Sequence, residues 1–303
     1  MLQQLIDKYI NRKHLLLSLI VRIGNYLPDK LFLSLLYRLT FFKSLDWQNP
    51  KTFNEKLQWL KLYDRRPEYT TYVDKYKVRE YISKTLGEEY LIPLLGEWDN
   101  PDEIDFDKLP NRFVLKCNHN SGLGMCICKD KTKLDLEVVR NELRKGLAQD
   151  YYLSLREWPY KNVPRKIIAE KYMVDESETL SLRDYKFMCF DGKVKCSFVC
   201  SDRNTKNGLH VTFYDLDWNV LPFERHYPSR KEGLLKPKSY DEMVILAEKL
   251  SKGIPFVRVD FYEINGKVYF GELTFYPGSG FEEFTPQSAD EWLGGFIKLP
   301  NRS

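Results

Sequence analysis

The chain has 303 residues, of which 43% are hydrophobic and 15% aromatic, so it can bury a core in two or three structural units and is not a disordered protein. Its net charge is only +4, and seven Lys or Arg against two Asp give residues 1–45 a net charge of +5. The remainder is close to neutral, which argues against nucleic-acid binding because no basic surplus is left there to neutralise phosphates.

Two apolar runs lie in the basic N-terminal segment, at residues 15–21 and 31–37. Each is much shorter than the roughly 20 residues that span a bilayer, and no small-residue cleavage site follows to mark a secretory signal. The pattern predicts amphipathic helices that either pack on the protein body or bind an anionic inner-leaflet surface. Six cysteines without zinc-site spacing indicate a reducing compartment. We therefore expect a cytoplasmic protein, with peripheral attachment to the inner membrane face through residues 1–45 left open.

The predicted helices and strands follow one another without regular βαβ alternation. Thr52, with Glu55 three residues later, predicts a capped helix start, and Asp191-Gly192 predicts a hairpin turn. In chain order we expect helices over 1–45, 52–65 and 74–87, a strand–loop–strand over 112–130, a helix over 134–152, a strand over 165–173, a hairpin over 182–203, a helix over 239–253 and a final hairpin from 257. This order favours the α+β class over a doubly wound sheet.

The final hairpin carries charges within apolar strands. It reads VRVDFYEINGKVYFGELTFYPGSG, and side-chain alternation predicts that Arg258, Asp260, Glu272 and Thr274 share one face. Two neighbouring carboxylates repel each other unless a cation lies between them. That cation is either Arg258, in a purely structural ion pair, or Mg²⁺, which prefers hard oxygen ligands.

The turn of this hairpin decides which residues face each other. A two-residue turn at Asn265-Gly266 would put Glu272 on the face opposite Asp260. A three-residue loop, with Gly266 as the left-handed bulge residue, would place Arg258 directly across from Glu272. We predict the three-residue loop, because the other register would bury unpaired charge at a cost of several kcal/mol.

A second candidate site is the glycine loop KCNHNSGLGM, residues 116–125. Backbone N–H groups of such a loop can bind phosphates, with Lys116 as a point charge and with Gly122 and Gly124 leaving the backbone open. A glycine-containing surface hairpin would look similar. The stretch matches neither a P-loop nor a dinucleotide-binding fingerprint.

Together these segments resemble the ATP-grasp fold, and more closely the TupA-like ATP-grasp family, which is associated with bacterial capsule and exopolysaccharide biosynthesis. The matching stretches are NPKTFNEKLQWLK (49–61), DKYKVREYI (74–82), REWPYKNVPRKIIAEKYM (156–173), DYKFMCFDGKV (184–194) and FGELTFYPGSG (270–280). The resemblance implies an α+β fold in which two subdomains enclose the nucleotide. The implied divisions are a basic helical region (1–70) in place of the usual preceding domain, a connection (71–107), a lid subdomain (108–172) and a catalytic subdomain (173–303).

The resemblance also implies ATP and Mg²⁺ as cofactors and a role for each matched residue. Arg79 and Lys116 would neutralise phosphates beside Gly122 and Gly124, and one of three acidic residues would bind the ribose. The implied adenine contacts are Glu170, Lys171 and Met173, and the ribose candidates are Asp175, Glu176 and Glu178.

For the catalytic subdomain, the implied magnesium ligands are Asp260, Glu272 and Thr274. Thr274 replaces the family's usual asparagine, which weakens the second magnesium site and makes Glu272 its more important ligand. Arg258 and Lys186 would stabilise the transferred group. Ser279, between Gly278 and Gly280, would lie beside an acyl-phosphate, with Arg203 and Lys206 as candidate acceptor contacts.

The implied reaction is ATP-dependent joining of a carboxylate to an amine. In this setting the substrates would be a uronic acid on a small-molecule or lipid-linked glycan and an amino acid or other amine. A sugar kinase, a surface-polysaccharide glycosyltransferase and a membrane-associated scaffold without catalysis are the alternatives. A glycosyltransferase would need a Rossmann-like nucleotide-sugar domain, and the sequence has no βαβ run to build one.

Overall fold

The fold is described from a computed structural model, which covers residues 24–175, 182–202 and 208–301. The predicted helix around residues 15–21 lies outside these ranges, and so do the ribose candidates Glu176 and Glu178 and the acceptor candidates Arg203 and Lys206. Everything below refers to the described residues.

Helices and strands alternate irregularly along the chain. The helices are α1 (Asp29–Phe41), α2 (Phe53–Tyr63), α3 (Glu68–Val73), α4 (Val78–Thr85), α5 (Leu136–Ala148), α6 (Tyr151–Leu155), α7 (Tyr240–Ser251) and α8 (Ser288–Phe296). The strands are β1 (Leu94–Trp98), β2 (Phe113–Cys117), β3 (Met125–Cys128), β4 (Ile167–Lys171), β5 (Asp184–Phe190), β6 (Lys193–Ser201), β7 (His210–Tyr214), β8 (Glu224–Arg225), β9 (Val257–Ile264), β10 (Lys267–Thr274) and β11 (Phe284–Thr285). Short 3₁₀ turns lie at Gly24–Tyr26, Glu88–Tyr90, Pro101–Glu103, Phe106–Lys108, Lys131–Lys133, Trp158–Tyr160 and Pro277–Gly280.

The strands form three antiparallel sheets. One has four strands in the order β1-β4-β2-β3, a second has five in the order β10-β9-β5-β6-β7, and β8 pairs with β11 alone. Each of the two larger sheets has its own apolar core. The predicted α+β class is therefore confirmed. Strand β1 lies within the connection predicted over 71–107, and it pairs with β4 of the four-stranded sheet; the predicted domain boundaries otherwise stay predictions.

Helix α2 shows how a local signal places an N-terminal segment against the five-stranded sheet. Thr52 Oγ1 accepts a hydrogen bond from the Glu55 backbone N–H, and Glu55 Oε2 accepts one from the Thr52 backbone N–H, which is the predicted capping box. The buried face of α2 carries Phe53, whose ring lies 4.8 Å from that of Phe256 before β9. The amide of Asn54 donates to Asp290 of α8 at 3.1 Å. The segment before residue 70 therefore contributes to the core beneath the five-stranded sheet.

The second apolar run of the N-terminus lies in α1. Phe32, Leu33 and Leu36 are buried there and form a small cluster with neighbouring apolar side chains, whereas Leu31 is 47% exposed. Among the residues described, no helix combines the length and apolarity that a membrane crossing requires. The interpretation that this run packs on the protein body is thus the one the contacts support.

The register of the final hairpin differs from the prediction. Ile264 pairs with Lys267, so Asn265-Gly266 is a two-residue turn, with φ values of 51° and 74° as in a type I′ turn. The predicted three-residue loop and the predicted pairing of Arg258 with Glu272 are therefore wrong.

A β-bulge nevertheless produces the predicted polar face. The register shifts between Phe270 and Glu272, so that Gly271 is the extra residue, Glu272 pairs with Asp260 and Thr274 pairs with Arg258. Without the bulge, Gly271 would have opposed Asp260 and Glu272 would have faced the core. The apolar residues of both strands point into that core, since Val257, Val259, Phe261 and Leu273 are all buried.

Candidate active site

One arginine and two carboxylates form the centre of the site. Arg258 on β9 donates from Nε to Asp260 Oδ1 and from Nη2 to Asp260 Oδ2, both at 2.7 Å, and Nη2 also donates to Glu272 Oε1 at 2.7 Å. Thr274 Oγ1 donates to the same glutamate oxygen at 3.2 Å. The four predicted hairpin residues therefore meet, and Arg258 is the cation between the carboxylates, as in the ion-pair interpretation.

Lys186 brings a second cation from the neighbouring strand. The register places it directly opposite Asp260, and its Nζ lies 2.5 Å from Asp260 Oδ2. Asp184, two residues earlier on β5, is a further partner of the same ammonium group. Lys186 and Asp260 are both buried, so each depends on its partners to remain charged.

Burial and pairing affect the two central carboxylates differently. Burial raises the pKa of Asp260, and the charges of Arg258 and Lys186 only partly offset it. Burial also acts to raise the pKa of Glu272, but the positive charges of Arg258, Lys186 and Lys75 outweigh it and lower that pKa to about 2. Glu272 is therefore ionised at neutral pH.

Three of the predicted nucleotide-binding residues meet on the four-stranded sheet. Lys116 on β2 places its Nζ 2.6 Å from Glu170 Oε2, and Arg79 of α4 places Nη1 3.6 Å from Glu170 Oε1. The register pairs Lys116 with Ile168, so Glu170, two residues further along β4, is a diagonal neighbour of Lys116 on the same face of the sheet. Burial lowers the pKa of Arg79, which the charge of Glu170 opposes.

Lys75 contacts the loop after β2, and the sequence interpretation missed it. It lies in the segment 74–79, in which the motif comparison assigns a role only to Arg79. Its Nζ donates to the Asn120 carbonyl at 2.5 Å, in the loop after β2. Burial lowers the pKa of Lys75, whereas the charges of Glu272 and Glu170, one from each sheet, act to raise it. The sequence feature that could have identified Lys75 is the Asp74-Lys75 pair just before helix α4.

The two glycines of the predicted phosphate loop have different surroundings. Both have a left-handed backbone, with φ of 84° at Gly122 and 69° at Gly124. A Cβ at Gly124 would lie 2.8 Å from the Gly146 Cα of α5 and 2.7 Å from Cys117 Sγ, whereas a Cβ at Gly122 would meet nothing within 4 Å. Gly124 is therefore needed for close packing, and only Gly122 leaves open space at the loop.

Ser279 belongs to a buried polar network beneath the loop that follows β10. Its Oγ donates to Glu157 Oε1 at 2.8 Å, and Lys61 Nζ donates to the Ser279 Oγ and carbonyl at 3.1 and 2.8 Å. Burial lowers the pKa of Lys61 to about 7 in spite of the charge of Glu157. Lys61 and Glu157 were missed because they are distant in sequence from Ser279 and resemble ordinary helix and loop charges. The catalytic role of Ser279 stays a prediction.

The predicted adenine contacts lie at the end of β4. Lys171 donates its backbone N–H to the Pro93 carbonyl at 2.9 Å, and its side chain is exposed. Met173 follows two residues later and is partly buried, and the ribose candidate Asp175 is buried. No contact of these residues bears on adenine or ribose, so their roles stay predictions.

The donor set at the centre suits Mg²⁺ only together with further ligands. Within the described residues, no group of three or more His, Cys, Asp or Glu side chains is arranged to hold a metal ion. Asp260, Glu272 and the Thr274 hydroxyl supply hard oxygen atoms, and Mg²⁺ is commonly bound by one or two carboxylates plus substrate phosphates. Both contacts of Glu272 use Oε1, so Oε2 takes no part in them. The residues present therefore fit a phosphate-assisted magnesium site.

Two antiparallel sheets, each with a cluster of charged side chains on it, are compatible with the organisation that the motifs predicted. A family model described as TupA-like ATPgrasp matches residues 55–298. The chain belongs to the TupA-like ATP-grasp family, as its motifs predicted. A comparison with curated proteins finds no match.

Several solved structures are similar at low identity. The D-alanine–D-alanine ligase of Helicobacter pylori is 14% identical with a TM-score of 0.44, over 82% of this chain and 68% of that chain. The D-alanine–D-alanine ligase of Bacillus anthracis complexed with ATP is 16% identical with a TM-score of 0.41, over 68% and 55%. The ATP-grasp ligase PsnB, complexed with a phosphomimetic variant of its minimal precursor, Mg and ADP, is 12% identical with a TM-score of 0.41, over 81% and 66%. This chain thus spans about half of the Bacillus anthracis ligase, and similarities of this size do not transfer an activity.

Proposed function

We propose that this protein is an ATP- and Mg²⁺-dependent ligase that joins a carboxylate to an amine. The observation that carries the proposal is the charge cluster of Arg258, Asp260, Glu272 and Lys186 on one sheet face. The charges of Glu272 in this cluster and of Glu170 on the other sheet both act to raise the pKa of Lys75. Such a preorganised set of charges is what transfer of a phosphoryl group requires, because charge accumulates on the transferred group.

The residues divide between holding ATP and stabilising the reaction. Lys75, Lys116 and Arg79 would neutralise the phosphates beside the four-stranded sheet, and Gly122 would allow their close approach. The adenine would lie against Glu170, Lys171 and Met173, at the end of β4. These roles combine the family resemblance with the contacts described above.

In the first step an oxygen of the substrate carboxylate attacks the γ-phosphorus and ADP leaves. In the second step the amine attacks the acyl carbon, inorganic phosphate leaves with that carboxylate oxygen, and the amine loses a proton to solvent. Arg258 and Lys186 would stabilise the negative charge of the group in transfer. When bound by Asp260, Glu272 and Thr274, Mg²⁺ would supply further charge neutralisation.

The family association with surface polysaccharides suggests the substrates and the location. We propose a uronic acid on a small-molecule or lipid-linked glycan as the carboxylate and an amino acid or other amine as its partner. The protein would act in the cytoplasm, and within residues 1–45 the part before α1 is the candidate membrane-contacting segment. Every strand pair among the described residues is antiparallel, which favours the ligase over a glycosyltransferase built on a Rossmann-like domain.

The test is to follow ADP and inorganic phosphate in reactions with Mg²⁺, ATP, a panel of uronic acids and a panel of amines. We expect equal amounts of ADP and phosphate only when both substrates are present, and transfer of oxygen-18 from a labelled carboxylate to phosphate. Asp260→Asn should abolish the reaction, while Glu291→Gln, an exposed carboxylate on α8, should not change it. Formation of ADP without inorganic phosphate would instead identify a kinase. If the protein bound the nucleotide but turned over no substrate, the scaffold without catalysis would be the better interpretation.

A further inference from the structure

A third cation lies over the same sheet face, at the edge away from Glu272. The register aligns Lys186 with Phe198 and Phe198 with Phe213, so these two rings share the polar face of the site. The guanidinium carbon of Arg225, on β8, lies 4.5 Å from the centre of the Phe198 ring and 5.5 Å from that of Phe213. The guanidinium of Arg258 lies 5.9 Å from the same Phe198 ring. Arg225 and Arg258 therefore both lie near one aromatic side chain, Phe198.

The guanidinium of Arg225 is buried without enough partners. Its side chain is only 8% exposed, and within the described ranges its ion pair is Nε to Glu282 Oε2 at 3.0 Å. That contact lacks hydrogen-bond geometry, so Arg225 Nε, Arg225 Nη1 and Glu282 Oε2 are all buried without a hydrogen-bond partner among the residues that the structure describes. Burial lowers the pKa of Arg225, the charge of Glu282 opposes this, and Arg258 adds to it. Native proteins rarely leave such buried groups unsatisfied, and a bound polar ligand would supply the hydrogen bonds that they lack.

The backbone around this pair is fixed. Arg225 pairs with Phe284 across β8 and β11, and the Glu282 carbonyl accepts a hydrogen bond from Asn54 at 2.9 Å. Gly278 lies against the Glu282 side chain, because a Cβ there would be 2.3 Å from the carboxyl carbon. The pair is thereby attached to the Pro277–Gly280 turn that borders the predicted reaction centre.

An arginine beside a glutamate is the complement of an α-amino acid. A free amino acid carries a carboxylate and an ammonium group on one carbon, and the neutral Arg225–Glu282 pair offers the opposite charges side by side. A guanidinium binds a carboxylate through two parallel hydrogen bonds, and a carboxylate accepts from an ammonium group. An extra phosphate, by contrast, would add two negative charges next to Glu282.

We propose that Arg225 and Glu282 bind the α-carboxylate and the amine of the co-substrate, which is therefore a free α-amino acid. This inference rests on the proposed ligase function and specifies its amine. The amino acid would lie on the β6–β7 side of the cluster, with ATP on the side of Lys75 and Lys116.

The test compares matched ligands on the full chain saturated with MgADP. Isothermal titration is run with the free α-amino acids, and with the α-amide and N-acetyl derivative of any that bind. We expect at least one amino acid to bind the wild type and both derivatives to bind at least tenfold more weakly, since each removes one charge. This comparison needs no variant, so it survives if a substitution prevents folding.

Variants then assign the two ends. Arg225→Met should lower the affinity for the free amino acid at least tenfold but change the affinity for its amide little. Glu282→Gln should lower the affinity for the free amino acid at least tenfold but change the affinity for its N-acetyl form little. Arg112→Met and Glu283→Gln, both exposed, are the matched controls. Equal binding of acid and amide, or no amino-acid binding up to about 50 mM with MgADP still bound, would overturn the inference. Failure of the wild type to bind MgADP would overturn the proposed function itself.

Discussion

The polar faces of the two large sheets are built differently. On the five-stranded sheet, Arg258 and Lys186 are buried and contact the carboxylate of Asp260 directly. On the four-stranded sheet, Lys116 contacts Glu170 from a more exposed position, and the adjacent loop has open space at Gly122. One face holds its charges in fixed positions before any ligand arrives, and the other leaves room for a ligand to approach. The first arrangement suits stabilisation of transferred charge, and the second suits nucleotide binding.

Neutralising Asp260 should have the largest effect and should separate the two faces. In Asp260→Asn the buried Arg258 and Lys186 lose their common partner, so we expect a loss of about 3–5 kcal/mol in the free energy of unfolding, measured by urea denaturation. The matched change on the other sheet is Glu170→Gln, for which we expect only about 1–2 kcal/mol because Lys116 can reach water. Equal losses would show that the two faces do not differ in this way.

Two glycine substitutions sharpen the comparison within the phosphate loop. Gly124→Ala combines left-handed strain with a clash against the α5 backbone, and we expect about 2–4 kcal/mol of destabilisation in thermal unfolding. Gly122→Ala has the strain alone and should cost only about 1–2 kcal/mol. The nucleotide affinity should show the reverse order among the folded variants, since Gly122 faces the open space. A smaller stability loss at Gly124 than at Gly122 would contradict the packing described for α5.

The pH dependence of Glu272 gives a smaller effect with a defined direction. Its pKa of about 2 in the folded protein lies below the ordinary value of 4.5, so its stabilising contribution is present above pH 4.5 and is lost as the pH falls towards 2. Because the side chain is 41% exposed, we expect that contribution to be only about 1 kcal/mol. Glu272→Gln should therefore be less stable than the wild type at pH 6, and the difference should shrink between pH 4.5 and 2 in denaturant titrations. A constant difference would mean that Glu272 is not held by the cation cluster.

Local patterns in the sequence were sufficient for much of the fold. The capping box of Thr52 and the turn at Asp191-Gly192 involve residues within four positions of each other, and both are present. The shared polar face of the final hairpin was also predicted. The position of its bulge was not, because an extra residue at Gly271 and one at the turn give the same face, and the choice depends on contacts across three strands.

The parts of the site that sequence could not supply come from distant segments. Lys61 and Ser279 are 218 positions apart, and Glu157 is 122 from Ser279. Nothing in the spacing of these residues indicates that helix α2 and the loop that follows β10 would bring them together. Lys75 is different, because it lies within the segment 74–79 that the motif comparison had already singled out, and its contact with the Asn120 carbonyl after β2 became visible only in the structure.

The central claim is that the charge cluster and Lys75 form one nucleotide site, and thermal-shift binding of ATP, ADP, GTP and UDP-sugars with and without Mg²⁺ tests it most directly. A ligand at about 100 times its Kd should stabilise the fold by about 2.7 kcal/mol. We predict that ATP and ADP stabilise the wild type and the exposed control Glu291→Gln only when Mg²⁺ is present. For Glu272→Gln we predict that neither nucleotide stabilises the fold even with Mg²⁺. Stabilisation by UDP-sugars with no response to adenine nucleotides would contradict the account.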